Sequence, residues 1–278
     1  MMSTPFESEL NAPTVLVFIP VKNGAKYLSE CIDSVRSQSY TDWQLIVSDN
    51  MSTDQTENIV RAYMKIDKRI RWFRHDFDVG MVGNFNSCLG RCALPFHSIL
   101  SHDDKYTSNA ALSDALQAMI KFPDVTAVYS RMAWIDQKSH LIASPKSAYV
   151  GLVDADIVAV ASIETCRNRF GVPLLIRSNA VERHRYETRF HHTADVDFSI
   201  AIGSNRQCYF FEDARFAARF HAANGTMRNV TPVRSELVKV ASKHNIPIGF
   251  SRAIRMWVHH SWNVFLKTGF FFYLDKFR

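Results

Sequence analysis

The sequence lacks the features that most quickly betray a function. No stretch matches a Walker A loop, and Gly80 and Gly83 in "VGMVGN" neither complete a G-x-G-x-x-G nor follow the right strand. The usual backbone cradles for a nucleotide phosphate are therefore excluded. Cysteine is scarce: five residues in 278, an odd number without zinc spacing. Cys31, Cys88, Cys92, Cys166 and Cys208 read as reduced thiols, with Cys88 and Cys92 as small core residues on one helix face. No apolar run has the length of a spanning helix. The opening "MMSTPFESEL" has no basic or apolar segment of a signal peptide, so the expectation is a protein kept in the cytoplasm. Repeats are absent. A composition 47% hydrophobic and 22% charged argues against disorder and for a core large enough to fold unaided.

What is present is alternation. "VLVFIP" (Val15–Pro20) is a buried strand, and "AKYLSECIDSVRSQ" (Ala25–Gln38) has helical spacing through Leu28, Cys31, Ile32 and Val35. "LIVSD" (Leu45–Asp49) is a second strand. A helix follows, with Ser52 and Gln55 fitting a capping box and Ile59, Val60 and Tyr63 on its apolar face. "RIRWF" (Arg69–Phe73), "HSILS" (His97–Ser101) and "VTAVYS" (Val125–Ser130) are further strands. "MVGNFNSCLGRC" and a Ser108-capped "NAALSDALQAMIKF" are the helices between them. Strands alternating with helices on a short period specify an α/β fold with a mostly parallel sheet covered on both faces. After about residue 131 the signals mix, in "LLIRS", "DVDFSIAIGS" and "CYFFED". This half reads as completing the sheet and carrying loops, and from Pro232 the tail reads as helical.

In an open parallel sheet, ligands bind beyond the carboxyl ends of the strands. The first strand ends in "PVKNG", the second in Asp49, and the fourth leads into Asp103 and Asp104. One such acid would be a cap. Two acidic strand ends in one sheet point to a site, and adjacent carboxylates are relieved by a cation. Mg²⁺ or Mn²⁺ would take carboxylate, water and phosphate oxygens there, holding a diphosphate without a glycine loop.

These residues carry a resemblance. "VFIPVKNGAKYLSECIDSVRSQSYTDWQLIVSDNMSTDQT" resembles the N-terminal signature of family 2 glycosyltransferases, inverting enzymes with the GT-A fold. The matching pieces are Pro20 to Asn23, Ser34 to Tyr40 and Asp49 to Asp54, followed by "NFNSCL" and "ILSHDD". The resemblance covers about the first 130 residues densely and the next 95 sparsely. It implies a nucleotide-diphosphate sugar donor, a UDP-sugar favoured. Asp49 would bind the base, with Pro20 and Asn23 lining the pocket, and Asp103 and Asp104 would sit at the ribose and metal end. Ser101 stands where the family's Asp-x-Asp has its first acid, which leaves metal binding to Asp103 with Asp104 as alternate. "HHTADVDFSIAIG" resembles the Glu-Asp-x-Asp segment and makes Asp195 the base, with Asp197 as alternate; Ala194 departs from that pattern. "ARFHAANGT" resembles an Arg-x-His segment, so Arg219 and His221 are candidate diphosphate or metal contacts. "FGVPLLIRS" resembles the loop and strand framing the acceptor side, and no residue there has an assigned role.

These readings divide the chain into a nucleotide-sugar half (1–130), an acceptor half of the same domain (131–231) and a tail (232–278). From Arg219 to Arg278 there are 10 Lys+Arg and 2 Asp+Glu, net +8, whereas the other 218 residues carry net −2. Residues 251–278 interleave those charges with Trp257, Trp262, Phe265 and the run Phe270 to Tyr273. Such a segment suits peripheral membrane contact at an inner face, or packs its aromatics on the domain; nothing upstream resembles a nucleic-acid fold. The expected function is sugar transfer to a saccharide or lipid-linked acceptor in surface polysaccharide or glycolipid synthesis. The rivals are a degenerate binding or scaffold protein, suggested by Ser101 and Ala194, and a sugar-phosphate nucleotidyltransferase, for which "PVKNGAKYL" lacks the basic glycine-rich loop.

Overall fold

The computed structural model describes residues 15–220 and 233–275. Its first half follows the alternation: β1 (Val15–Val21), α1 (Leu28–Arg36), β2 (Trp43–Asp49), α2 (Thr56–Ile66), β3 (Ile70–Arg74), α3 (Gly80–Leu89) and β4 (Phe96–Ile99). Then come β5 (Lys105–Tyr106), α4 (Ala111–Lys121), β6 (Val125–Ile135), β7 (Leu141–Ala143), β8 (Gly151–Asp154), α5 (Ala155–Thr165) and β9 (Pro173–Arg177). The chain continues through α6 (Ala194–Gly203), β10 (Gln207–Arg219), α7 (Val233–Lys243) and α8 (Phe250–Asp275).

All these strands join one sheet in the order β3-β2-β1-β4-β9-β6-β10-β5, with β7 beside β6 and β8 beside β10. The pairs β3–β2, β2–β1, β1–β4 and β6–β10 are parallel. Strand β9 inserts antiparallel to both β4 and β6, pairing Arg177 with Phe96 and Ile176 with His97. That reversal positions the site: the start of β9 lies beside the carboxyl end of β4, and β10 ends at the same edge.

Strand β1 has no polar alternation because both its faces are covered. Val15, Val17, Ile19 and Val21 join the α1, α2 and α4 side of the core, and Leu16 and Phe18 join the α3, α5 and α6 side. Full burial of each such side chain contributes roughly 1.5–3 kcal/mol before entropy is charged. Helix α6 was hidden in sequence because it is apolar all round. Eight of its residues are buried, leaving no single stripe for a helical period to reveal.

Several local expectations are corrected. Helix α2 starts at Thr56, whose N–H is capped by Asp54 Oδ1 at 3.0 Å, and Ser52 is not its cap. Ser108 Oγ accepts from Ala110 N one turn ahead of α4 instead of capping it. Cys92 lies past the end of α3, so it shares no helix face with Cys88; all five cysteines are unpaired.

Gly24, leading into α1, is required by close approach: a Cβ there would lie 2.4 Å from Val21 Cγ2 and 2.6 Å from His102 Cδ2. Gly24→Ala must push away either β1 or the turn carrying Asp103. The expected cost is about 1–3 kcal/mol in urea unfolding, with weakened binding of any ligand at that turn.

Candidate active site

Four parallel strand ends meet at one sheet edge. Val21 of β1 pairs with Asp49 of β2, Asp49 with Arg74 of β3, and Phe18 with Ile99 of β4. The loops after β1 and β2 are interlocked. Asn23 N donates to Ser52 Oγ (2.9 Å), Gly24 N to Thr56 Oγ1 (3.0 Å) and Ala25 N to Asp54 Oδ2 (2.9 Å). In return, Thr53 N donates to Asn23 Oδ1 at 2.8 Å. Burial alone would raise the Asp54 carboxyl, but hydrogen bonds from Thr56 and Ala25 outweigh it and hold it below the ordinary aspartate value. Asn23 and Met51 both adopt left-handed backbone, φ 54° and 59°. Asn tolerates this and Met does so at a cost, so strain is concentrated at this edge.

Pro20 is buried within β1 beside Ser48. Asp49 has no exposed surface: Oδ1 accepts from Ser52 N at 2.9 Å and Oδ2 pairs with Arg74 Nη1 at 3.2 Å. It therefore shapes the pocket wall from behind and offers no open carboxylate oxygen to a base, as the resemblance had assigned it. An open carboxylate at this edge is Asp78, exposed where Asp49 is not. Lys22 Nζ lies 2.5 Å from its Oδ2, and Asn50 Nδ2 and Gly80 N donate to its Oδ1 at 2.7 and 2.9 Å. The Lys22 hydrogen bond is the main cause of an Asp78 carboxyl lowered to about 2.

The turn Ser101–Asp104 closes with Asp104 N donating to Ser101 O at 3.0 Å, and Cys31 Sγ donates to the same oxygen at 3.4 Å. Burial, then the neighbouring Asp103, pushes the Asp104 carboxyl well above the aspartate range. Arg219 supports this turn: its backbone N–H donates to Asp104 Oδ1 and its Nε to Asp103 O, each at 2.9 Å. Its other nitrogens reach Asp136 O, Ser139 Oγ and Glu30, and Tyr27's ring lies 4.5 Å away. At 1% exposure, Arg219 is a buried strut, which corrects its expected role as a diphosphate or metal contact. His221 lies outside the described residues.

The reversed β9 brings the acceptor half to the same edge. Asn168, in the loop before β9, donates from Nδ2 to Asp195 Oδ2 at 2.7 Å. Asp195 opens α6, accepts from Val196 N at 2.9 Å and is exposed to solvent. Desolvation by the surrounding protein raises its carboxyl above the usual value, against the lowering hydrogen bond from Asn168. Asp197 points the other way: it is fully buried, with Lys243 Nζ and His244 Nε2 of the α7 end each 2.8 Å away. Burial raises it, but these partners prevail and lower it. The alternate base is thus a structural ion pair.

Four positioning residues had been assigned no role. Glu30 ties Lys105 (2.5 Å) and Ser139 (2.6 Å) to Arg219. Asn84 bridges Ser48, accepting at Oδ1 from its Oγ (2.6 Å) and donating from Nδ2 to its carbonyl (2.9 Å). Asn86 exchanges two 2.8 Å bonds with the Tyr186 backbone, and Tyr186 stacks 4.1 Å from Phe198 of α6. Asn168 lies 27 residues before the carboxylate it orients. Only "NFNSCL" marked any of these in advance.

Residues 16–149 match the family model described as Glycosyl transferase family 2. An uncharacterized glycosyltransferase of Rickettsia prowazekii is 28% identical over 79% of this chain and 68% of its own length. The GalNAc(5)-diNAcBac-PP-undecaprenol beta-1,3-glucosyltransferase of Campylobacter jejuni is 34% identical over 38% of this chain, which spans 34% of that protein. Among solved structures, Staphylococcus aureus TarS in complex with UDP-GlcNAc superposes with TM-score 0.69 at 16% identity, over 87% of this chain and 69% of that one. The mannosyltransferase PcManGT of Pyrobaculum calidifontis, in complex with GDP-Man and Mn²⁺, gives 0.63 at 15% identity, over 90% and 74%. Residues 16–149, with the interlocked loops after β1 and β2 and the paired aspartates after β4, thus form a glycosyl transferase family 2 region, and the chain has the GT-A fold of the solved glycosyltransferases.

Proposed function

We propose that this protein transfers a sugar from a nucleotide-diphosphate sugar to an acceptor hydroxyl with inversion, in surface polysaccharide or glycolipid synthesis. The carrying observation is convergence: the nucleotide-side loops, the 101–104 turn and Asp195 lie at one sheet edge because β9 runs backwards between β4 and β6. Support also comes from the Campylobacter relative, whose name gives a lipid-linked acceptor, and from TarS and PcManGT, solved with UDP-GlcNAc and with GDP-Man.

The base and ribose rest against the ends of β1 and β2, among Pro20, Asn23 and the wall backed by Asp49, with Ser101 and Asp103 toward the ribose. Among the described residues no cluster of three or more His, Cys, Asp or Glu forms a closed metal cage. Two carboxylates that repel each other on one turn nonetheless fit the protein share of an Mn²⁺ or Mg²⁺ site completed by phosphate and water. Asp103 and Asp104 would hold that cation, which when bound offsets charge on the leaving diphosphate. Asp195, oriented by Asn168, takes the proton from the acceptor hydroxyl as its oxygen attacks the anomeric carbon from the face opposite the diphosphate. One equivalent of nucleoside diphosphate leaves for each glycosidic bond formed.

A panel of UDP- and GDP-sugars, scored by donor hydrolysis with and without Mn²⁺, tests the reading; no turnover of any donor and no calorimetric binding of nucleoside diphosphate would favour the scaffold instead. Asp195→Asn is expected to lower transfer by about 10²–10⁴-fold, and Asp103→Ala to abolish it, both with unchanged melting temperature. Asp197→Asn should act on the fold: removing the buried carboxylate takes away the partner of His244 and leaves Lys243 with Glu187 alone, at a cost of about 3–5 kcal/mol in chemical denaturation. The pH profile carries a further signature. Asp195 works ionised and its pKa is raised, so the acidic limb of kcat/KM lies above the ordinary aspartate range, with rate lost as pH falls through it. Asn168→Ala removes a lowering hydrogen bond and should move that limb to still higher pH; an unmoved limb removes Asp195 from the base role.

A further inference from the structure

Helix α8 has two unlike faces. Its inner face is fastened to the end of α5: Met256 and Asn263 are buried, and Arg167 Nε donates to Asn263 Oδ1 at 2.6 Å. Asn263 Nδ2 donates to Thr165 O at 3.1 Å, and Arg252 Nε and Arg255 Nη2 each donate to Glu164 Oε1 at 2.8 Å. The helix therefore cannot roll to hide what it carries outside. Outside, Phe250 (84% exposed), Ile254 (48%), Trp257 (58%), Val258 (49%) and Trp262 (56%) follow helical spacing along one stripe. A shallow apolar hollow of about 520 Å³ opens between Trp257, Val258, Ser261 and Trp262. A contiguous apolar stripe of this kind is a surface built to be covered.

We infer that the outer face of α8 docks the protein on an anionic lipid bilayer. Charge identifies the occupant. Leaving aside the buried Arg219, residues 220–278 carry 9 Lys+Arg and 2 Asp+Glu, net +7, and Glu236, one of those two acids, is buried on α7. A second copy would bring the same positive charge to the interface, whereas an anionic leaflet complements it. Phe250, Ile254 and Val258 find no counterpart in nucleic acid but enter the acyl boundary, where tryptophan is at home. Among the described residues no helix is long and apolar enough to cross a membrane. The surface deepens the proposed function by presenting the active site to acceptors at the membrane, and its test needs no sugar nucleotide.

The experiment is flotation of the full chain with phosphatidylcholine vesicles containing or lacking about one third phosphatidylglycerol, read beside tryptophan emission. The expected result is co-flotation with anionic vesicles, a blue shift, and release near 0.5 M salt. The double variant Trp257→Ser, Trp262→Ser should lose vesicle partition by about tenfold or more, with circular dichroism, melting temperature and donor hydrolysis unchanged. Wild-type protein left unfloated, or a variant that floats equally well, overturns the proposal. So does a concentration-dependent dimer, or binding to a single-stranded oligonucleotide, abolished by the same variant while vesicles are ignored. Donor hydrolysis without flotation would sink the docking surface alone; flotation without donor hydrolysis would sink the catalytic reading alone.

Discussion

A guanidinium removed from water is tolerated only where its donors are met, and the site depends on one such group. Arg219, 1% exposed, joins the end of β10 to the Asp103 carbonyl, the 136–139 turn and Glu30 of α1. Lys105 and Ser139 converge on the same glutamate. Segments from residue 30 to residue 219 thus share one hydrogen-bonded node directly under the paired aspartates. Such a node gives less net stability than apolar packing of equal volume, because desolvation offsets most of the Coulombic gain. Its value is geometric: it holds the 101–104 turn where a flexible loop would let two repelling carboxylates drift apart.

The four aspartates of the two motifs show how placement decides role. Asp103 and Asp104 share one turn, and the repulsion of Asp103 adds to burial in raising Asp104. Asp195 and Asp197 lie two residues apart on α6, and on a helix that spacing turns side chains to different sides. One opens to the cleft with an amide partner and a raised carboxyl; the other faces Lys243 and His244 and is lowered. Sequence offered both as bases, and the choice followed from the partners each one meets.

The parallel half was legible because β1 is covered on both faces and reads as an unbroken apolar run, and shorter apolar stretches such as "LIV" in β2 recur between helical patterns. The strand-end acids were legible because topology puts ligands at that edge. The second half was not. Helix α6 is apolar all round, and β9 is short and reversed in a pairing that no local pattern records. Arg219 was misread because a basic residue near a diphosphate motif suggests an anion contact, whereas its partners come from residues 30, 103, 136 and 139. Asn168 and Glu30 were invisible for the same reason: their roles exist only across long separations. The base-side role of Asp49 shifted because nothing in "VSDN" reveals that Arg74, one strand over, takes its carboxylate.

The strain at the nucleotide edge follows from that same locking. A left-handed methionine costs about 1–2 kcal/mol relative to its relaxed backbone, yet Met51 cannot relax alone. Its neighbour Ser52 donates its N–H to Asp49 and accepts from Asn23 N, while Thr53 N is held by Asn23 Oδ1. Releasing φ at Met51 would break several of these bonds, each worth about 1 kcal/mol net, so the strained state is the lower one. The edge formed by these two loops is consequently preformed, and a ligand bound there would pay little ordering cost. Adaptation to different donors must then fall on side chains that can swing at the rim, Lys22 and Asp78 among them, whose ion pair is half exposed and weakly held by comparison.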